Sequence, residues 1–133
     1  KRNHNVLGTI IGRLKKYNIR VSLFVDSSID QIKLAKELGS DIIEIHAGEF
    51  CRKVHDRLDF LKELNIIKEA ASFAESIGLE THVGHGVTFD SIVELSKINE
   101  VREFNIGHFI ISESLFLGLE TTIKKMKTLI AEG

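Results

Sequence analysis

The sequence predicts an α/β fold: the C-terminal half of a (β/α)8 TIM barrel, about four βα units in one domain over residues 1–133 with no internal boundary. Segments with strand and helix patterns alternate four times, which indicates parallel strands with right-handed crossovers. Polar residues follow the second, third and fourth strands, as at the top face of a barrel. The first strand ends in Asp26-Ser27-Ser28, without the glycine-rich loop typical of an open doubly wound sheet.

The first elements are a helix, a strand and a second helix. Apolar residues of Val6–Tyr17 recur at a spacing that places them on one helix face. Arg20–Val25 is rich in β-branched and aromatic residues, which favours a strand. One of the two serines that follow can cap a helix over Ile29–Leu38, and Gly39 is expected to end it.

The remaining elements continue the alternation. We expect a polar loop after the second strand and Gly78 at the end of the long third helix. The predicted strands are Asp41–His46, Glu80–Val83 and Glu103–Ile106, and the predicted helices are about Leu58–Ile77, Phe89–Ile98 and about Ser114–Ile130.

Charge and cysteine content limit the partners and the compartment. The 18 basic and 19 acidic residues are scattered and the net charge is −1, which argues against a nucleic-acid-binding or polybasic membrane surface. The apolar runs are strand-sized, so we expect no membrane span. The single cysteine, Cys51, cannot form an internal disulfide and fits a reducing compartment, so a cytoplasmic location is expected.

Two histidines lie beside glycines at the ends of predicted strands. Gly84-His85-Gly86 follows the third strand, and Gly107-His108 follows the fourth. Glycine lets backbone N–H groups approach a ligand closely, and the loops after the last two strands of a barrel commonly bind phosphate. An imidazole can donate and accept protons near neutral pH. The pattern therefore predicts a phosphate site with an acid–base histidine.

A carboxylate is expected beside these histidines. Side chains alternate along a strand, so Glu44 and His46 point the same way. If that direction is inward, both line the mouth of the barrel, where a catalytic acid or an electrostatic stabiliser would lie.

Two other interpretations remain open at this point. Glu44, His46, His85 and His108 also have metal-ligand chemistry, so a metal-dependent aldolase or epimerase is an alternative, although no two of the candidates form a tight HxH or HxxxH motif on one element. The chain could instead be a non-catalytic half-barrel that binds phosphate or a partner. His82, His55 and Cys51 are expected to be structural or incidental.

An ordered series of motifs favours one family of phosphate-binding barrel enzymes. The segments RVSLFVD, DIIEIHAGEF, THVGHGVTFD and EFNIGHFIISESLFLGLE resemble, in that order, the second half of the pyridoxine 5′-phosphate synthase family, from about Ile19 to Ile130. The resemblance implies a (β/α)8 barrel that assembles as a homo-octamer in vitamin B6 biosynthesis. It also implies a condensation of 3-amino-2-oxopropyl phosphate with 1-deoxy-D-xylulose 5-phosphate, releasing phosphate and water, without metal or organic cofactor.

The resemblance also implies roles for particular residues. Glu44 corresponds to the glutamate that stabilises the transition state, and His85 to the histidine that donates a proton. Gly86, Gly107 and His108 correspond to contacts with the aminooxopropyl phosphate. The family's first strand, its basic catalytic histidine and its glutamate base have no counterpart here, so this chain alone is expected to be inactive. Glu113 stands where the family usually has an arginine.

Overall fold

A computed structural model describes residues 4–133 as one parallel four-stranded sheet flanked by helices. The strands are β1 (Ser22–Val25), β2 (Ile42–His46), β3 (Glu80–Gly84) and β4 (Val101–Asn105). The helices are α1 (His4–Lys15), α2 (Ile29–Glu37), α3 (Gly48–His55), α4 (Leu61–Ser76), α5 (Phe89–Leu95), α6 (His108–Leu117) and α7 (Leu119–Ala131). The predicted α/β class and the four βα units are confirmed. The domain limits, 1–133, stay a prediction, and residues 1–3 lie outside the described residues.

The strands are neighbours in the order in which they occur in the chain, β1-β2-β3-β4, and every pair is parallel. A doubly wound sheet reverses its strand order at a switch point, whereas successive strands of a barrel are added in one direction. The observed order is therefore consistent with half of a (β/α)8 barrel. β1 and β4 each have one neighbour within the described residues, so the sheet there is open at both sides.

The two faces of the sheet have different chemistry because side chains alternate along each strand. Val25, Ile45 and Val83 occupy matching positions on one face and are buried in the main apolar core. That core also contains the buried side of α4, formed by Leu64, Ile67, Ala70, Ala71 and Ala74. On the opposite face, Phe24, Glu44 and His82 occupy matching positions.

The predicted polar loop after β2 is wrong, because residues 48–55 form α3. Its inner side buries Phe50 and Cys51, while charged residues occupy the outer side and make the segment look like a loop in the sequence. Arg52 pairs with Glu49 at 2.7 Å and with Asp56 at 3.1 Å, which supports the helix through contacts one turn apart.

The predicted final helix is also wrong in its limits. Two helices, α6 and α7, replace it, and α6 begins six residues before the predicted start at Ser114. Gly118 separates them with φ +81°, a backbone conformation that L-residues rarely adopt. The other helix and strand predictions are confirmed with shifts at their ends, and Gly39 and Gly78 follow α2 and α4 as expected. No helix within residues 4–133 has both the length and the apolarity required to cross a bilayer.

We predict that Ile45→Ala destabilises the protein by about 2–5 kcal/mol, because a fully buried side chain would be lost and a cavity left behind. The matched variant is Leu115→Ala, which truncates a side chain that is 82% exposed and should cost less than about 0.5 kcal/mol. Urea unfolding of both variants measures the difference. Equal losses would contradict the placement of Ile45 in the core.

Candidate active site

A cavity of about 490 Å³ lies at the carboxyl ends of the strands. The five residues that the sequence singles out, Glu44, His85, Gly86, Gly107 and His108, all line it. The other lining residues are Phe24, Val87, Thr88, Asn105, Ile106, Phe109 and Ser112. The sequence-predicted residues are thus brought together from β2 and from the segments that follow β3 and β4.

Glu44 extends from β2 on the face opposite the apolar core and is half-buried. The side-chain amide of Asn105, at the end of β4, donates a hydrogen bond to Glu44 Oε2 with Nδ2 at 2.8 Å. Gly84 lies beside the same carboxylate, and a Cβ built there would overlap Oε1. Glu44 therefore presents a carboxylate to the cavity from a position that its neighbours define.

His85 stands at the turn after β3 with φ +67°, in the left-handed region. A non-glycine residue rarely adopts that backbone, and such conformations concentrate at functional sites. The ring is exposed to the cavity, and its centroid lies 4.7 Å from that of His46. Phe24 contacts the His46 ring edge-on, with centroids 5.3 Å apart. The turn thus holds the accessible imidazole of His85 against the ring of His46.

Gly107 and His108 form the start of α6, with Gly107 at the N-cap. The first N–H groups of a helix have no intrahelical partner, and the helix dipole places partial positive charge there. Such a terminus favours an anion, phosphate included. The first turn of α6 carries no acidic residue. Glu113 lies further along α6 and is not among the residues that line the cavity.

Asn105 and Thr88 also line the cavity, although the sequence analysis does not single them out. The sequence predicts a strand over Glu103–Ile106 with Asn105 inside it, whereas β4 ends at Asn105, which lines the cavity. The available signal was a polar residue in the otherwise apolar run Phe104-Asn105-Ile106. Thr88 caps α5 in a reciprocal pair of hydrogen bonds with Ser91, a capping arrangement that fixes the loop after His85.

The side chains predicted to be structural lie outside the cavity. His82 is buried between Glu80 and Glu103, 2.9 Å and 3.6 Å away. The pKa of the Glu80 carboxyl is lowered mainly by the hydrogen bond that it accepts from Arg20, and to a smaller extent by the one from His82. His55 is exposed at the end of α3. Within residues 4–133, no group of three or more His, Cys, Asp or Glu side chains is arranged to hold a metal ion.

Comparison with known proteins identifies one family. The family model described as pyridoxal phosphate biosynthesis protein PdxJ matches residues 1–132 of this chain. The pyridoxine 5′-phosphate synthase of Sulfurihydrogenibium sp. is 44% identical over 93% of this chain and 50% of its own length. The synthases of Zymomonas mobilis and Roseobacter denitrificans are 40% and 41% identical over 93% and 97% of this chain, and 48% and 53% of their own lengths. The chain spans about half the length of the curated relatives it matches.

We predict that Cys51 reacts slowly with iodoacetamide at neutral pH. Burial raises the pKa of its thiol, so less of the reactive thiolate is present near pH 7 than for an exposed cysteine. Labelling should accelerate as the pH rises and in urea. Ser72→Cys adds an exposed thiol to the same chain as an internal control, and peptide mass spectrometry separates the two sites. Equal labelling rates in the native protein would contradict the burial of Cys51.

Proposed function

The chain belongs to the family of pyridoxal phosphate biosynthesis protein PdxJ, and on that basis we propose that the protein acts as a pyridoxine 5′-phosphate synthase. The proposed reaction condenses 3-amino-2-oxopropyl phosphate with 1-deoxy-D-xylulose 5-phosphate, closes the pyridine ring and releases phosphate and water. Because this chain covers about half of each curated relative, the activity is proposed for the protein at the full length of the family.

The observation that carries the proposal is the convergence of three chemical functions on one cavity. Glu44 supplies a carboxylate, His85 an imidazole, and the start of α6 a set of backbone N–H groups. A phosphorylated amino ketone offers matching groups, because its phosphate suits the helix terminus and its amine becomes a cationic imine on condensation. The cavity volume, about 490 Å³, lies within the range of small-molecule sites.

The phosphate of the aminooxopropyl substrate is proposed to bind at Gly86, Gly107 and His108. Gly107 and His108 lie at the positive end of α6, and Gly86 lines the same cavity from the turn after β3. Gly86 has φ +83°, a left-handed backbone conformation that glycine adopts without strain and other residues rarely adopt. Binding there would fix one end of the substrate and direct its reactive end towards Glu44 and His85.

Glu44 and His85 are proposed to act on the bound substrate. A carboxylate oriented towards a cationic imine stabilises the positive charge that develops during condensation. His85 is proposed to donate a proton to the departing oxygen, a step that ring closure with loss of water requires. Its exposed ring at the cavity wall suits proton transfer to a ligand.

The remainder of the assembly is also a proposal. We propose that the four βα units close with further strands into a (β/α)8 barrel, and that the active site is incomplete without the residues those strands supply. The four units alone are therefore expected to be inactive. We also propose that the protein assembles as a homo-octamer in the cytoplasm and that it uses no metal or organic cofactor. Mass photometry of the protein as encoded would measure the number of subunits.

We predict that His85→Asn lowers kcat by about 100- to 10,000-fold in the protein at its encoded full length, because the proton donor would be lost. The assay follows formation of pyridoxine 5′-phosphate from the two phosphorylated substrates and release of one phosphate per product. His55→Asn is the matched control, since it makes the same exchange at an exposed residue outside the cavity and should leave turnover unchanged. Unchanged turnover in His85→Asn would remove the role assigned to His85, and an inactive wild-type protein would contradict the proposed function.

A further inference from the structure

We propose that Asn105 is a positioning residue that holds the Glu44 carboxylate in its working orientation, and that Gly84 provides the space for this contact. The inference rests on the proposed function, because it concerns the residue expected to stabilise the cationic intermediate.

The contact joins two strands that are not neighbours. Glu44 belongs to β2 and Asn105 to β4, with β3 between them. Neighbouring strands lie about 4.8 Å apart, so the backbones of β2 and β4 are separated by about twice that distance. A hydrogen bond of 2.8 Å between Asn105 Nδ2 and Glu44 Oε2 therefore requires the glutamate side chain to cross over β3.

Gly84 is the residue over which the side chain crosses. It pairs with His46 on β2 and with Asn105 on β4, so it lies level with the amide that the carboxylate reaches. A Cβ at position 84 would overlap Glu44 Oε1 and lie 2.9 Å from Cδ. Any larger residue at this position would push the carboxylate away from Asn105, because no real Cβ comes so close.

The chemistry of the contact suits a role in orientation. Asn105 is neutral, so it directs the carboxylate without cancelling its charge, as an arginine or lysine at the same place would. No ion pair within residues 4–133 involves Glu44. The charge of Glu44 is thus available to a cationic intermediate, and fixing one oxygen restricts the rotation of the group before the substrate arrives.

The test compares steady-state kinetics of the full-length protein with those of Asn105→Ala and Gly84→Ala. Both variants should lower kcat by about 10- to 100-fold while changing KM for the phosphorylated substrates by less than about threefold, because the carboxylate is misplaced but the phosphate contacts remain. Asn99→Ala, in the turn before β4, and Gly12→Ala, at an exposed position of α1, are the matched controls and should keep the wild-type rate.

Asn105→Asp separates orientation from a merely structural role. The aspartate has the same shape but places a second carboxylate beside Glu44, so its kcat at about pH 8 should fall below that of Asn105→Ala. At about pH 5.5 the two carboxyl groups can share a proton and restore one hydrogen bond, so the deficit relative to wild type at the same pH should shrink. A deficit that does not depend on pH would overturn the proposal.

The remaining outcomes each decide the question. A raised KM with unchanged kcat in Asn105→Ala would mean that Asn105 binds substrate, and the positioning role would be wrong. If Gly84→Ala fails to fold, the two Asn105 variants carry the kinetic test. If the wild-type protein makes no product, the proposed function fails, and crystal structures of wild type and Asn105→Ala then test the inference alone. A Glu44 carboxylate that keeps its place in the variant would overturn it, and one that turns away from β4 would support it.

Discussion

The hydrogen-bonded register of β2, β3 and β4 determines where the polar groups of the cavity lie. In this register Gly84 stands level with both His46 and Asn105, and Glu44 lies two residues before His46, on the same face of the sheet. A shift of one residue on any of these strands would turn its side chains to the opposite face. The carboxylate, the glycine beneath it and the amide that binds it would then no longer meet. The apolar residues of the other face oppose such a shift, because it would expose them.

One face of the sheet packs in the apolar core and stabilises the fold, and the other face carries the polar groups. Ile43, Ile45 and Val83 are fully buried against the helices, which ties the strand register to the core. The opposite face is polar at both ends. Towards the amino ends of the strands, Glu80 pairs with Arg20 at 2.6 Å and with His82 at 2.9 Å, so charges there satisfy one another. Towards the carboxyl ends, Glu44 has no ion-pair partner within residues 4–133 and lines the cavity, as expected where parallel α/β folds place their ligand sites.

The sequence predicted most of the fold and five of the residues that line the cavity, but little of the contacts among them. Strand patterns and helix-ending glycines were sufficient because they are local signals. α3 was missed since its buried face consists of only two adjacent residues, Phe50 and Cys51, in a charged segment. The contact between Glu44 and Asn105 could not be predicted, because residues 61 positions apart meet only through the register of the sheet. The catalytic and binding roles stay predictions.

A crystal structure of the full-length protein with pyridoxine 5′-phosphate, the product of the proposed reaction, would show directly whether this cavity is the active site. We predict that the phosphate contacts the backbone of Gly107 and His108 at the start of α6 and that of Gly86 in the turn after β3. We further expect the pyridine ring to lie between Glu44 and His85, with Glu44 still hydrogen-bonded to Asn105. A product molecule bound at another place, or a phosphate remote from α6, would contradict the central claim that this cavity is the active site.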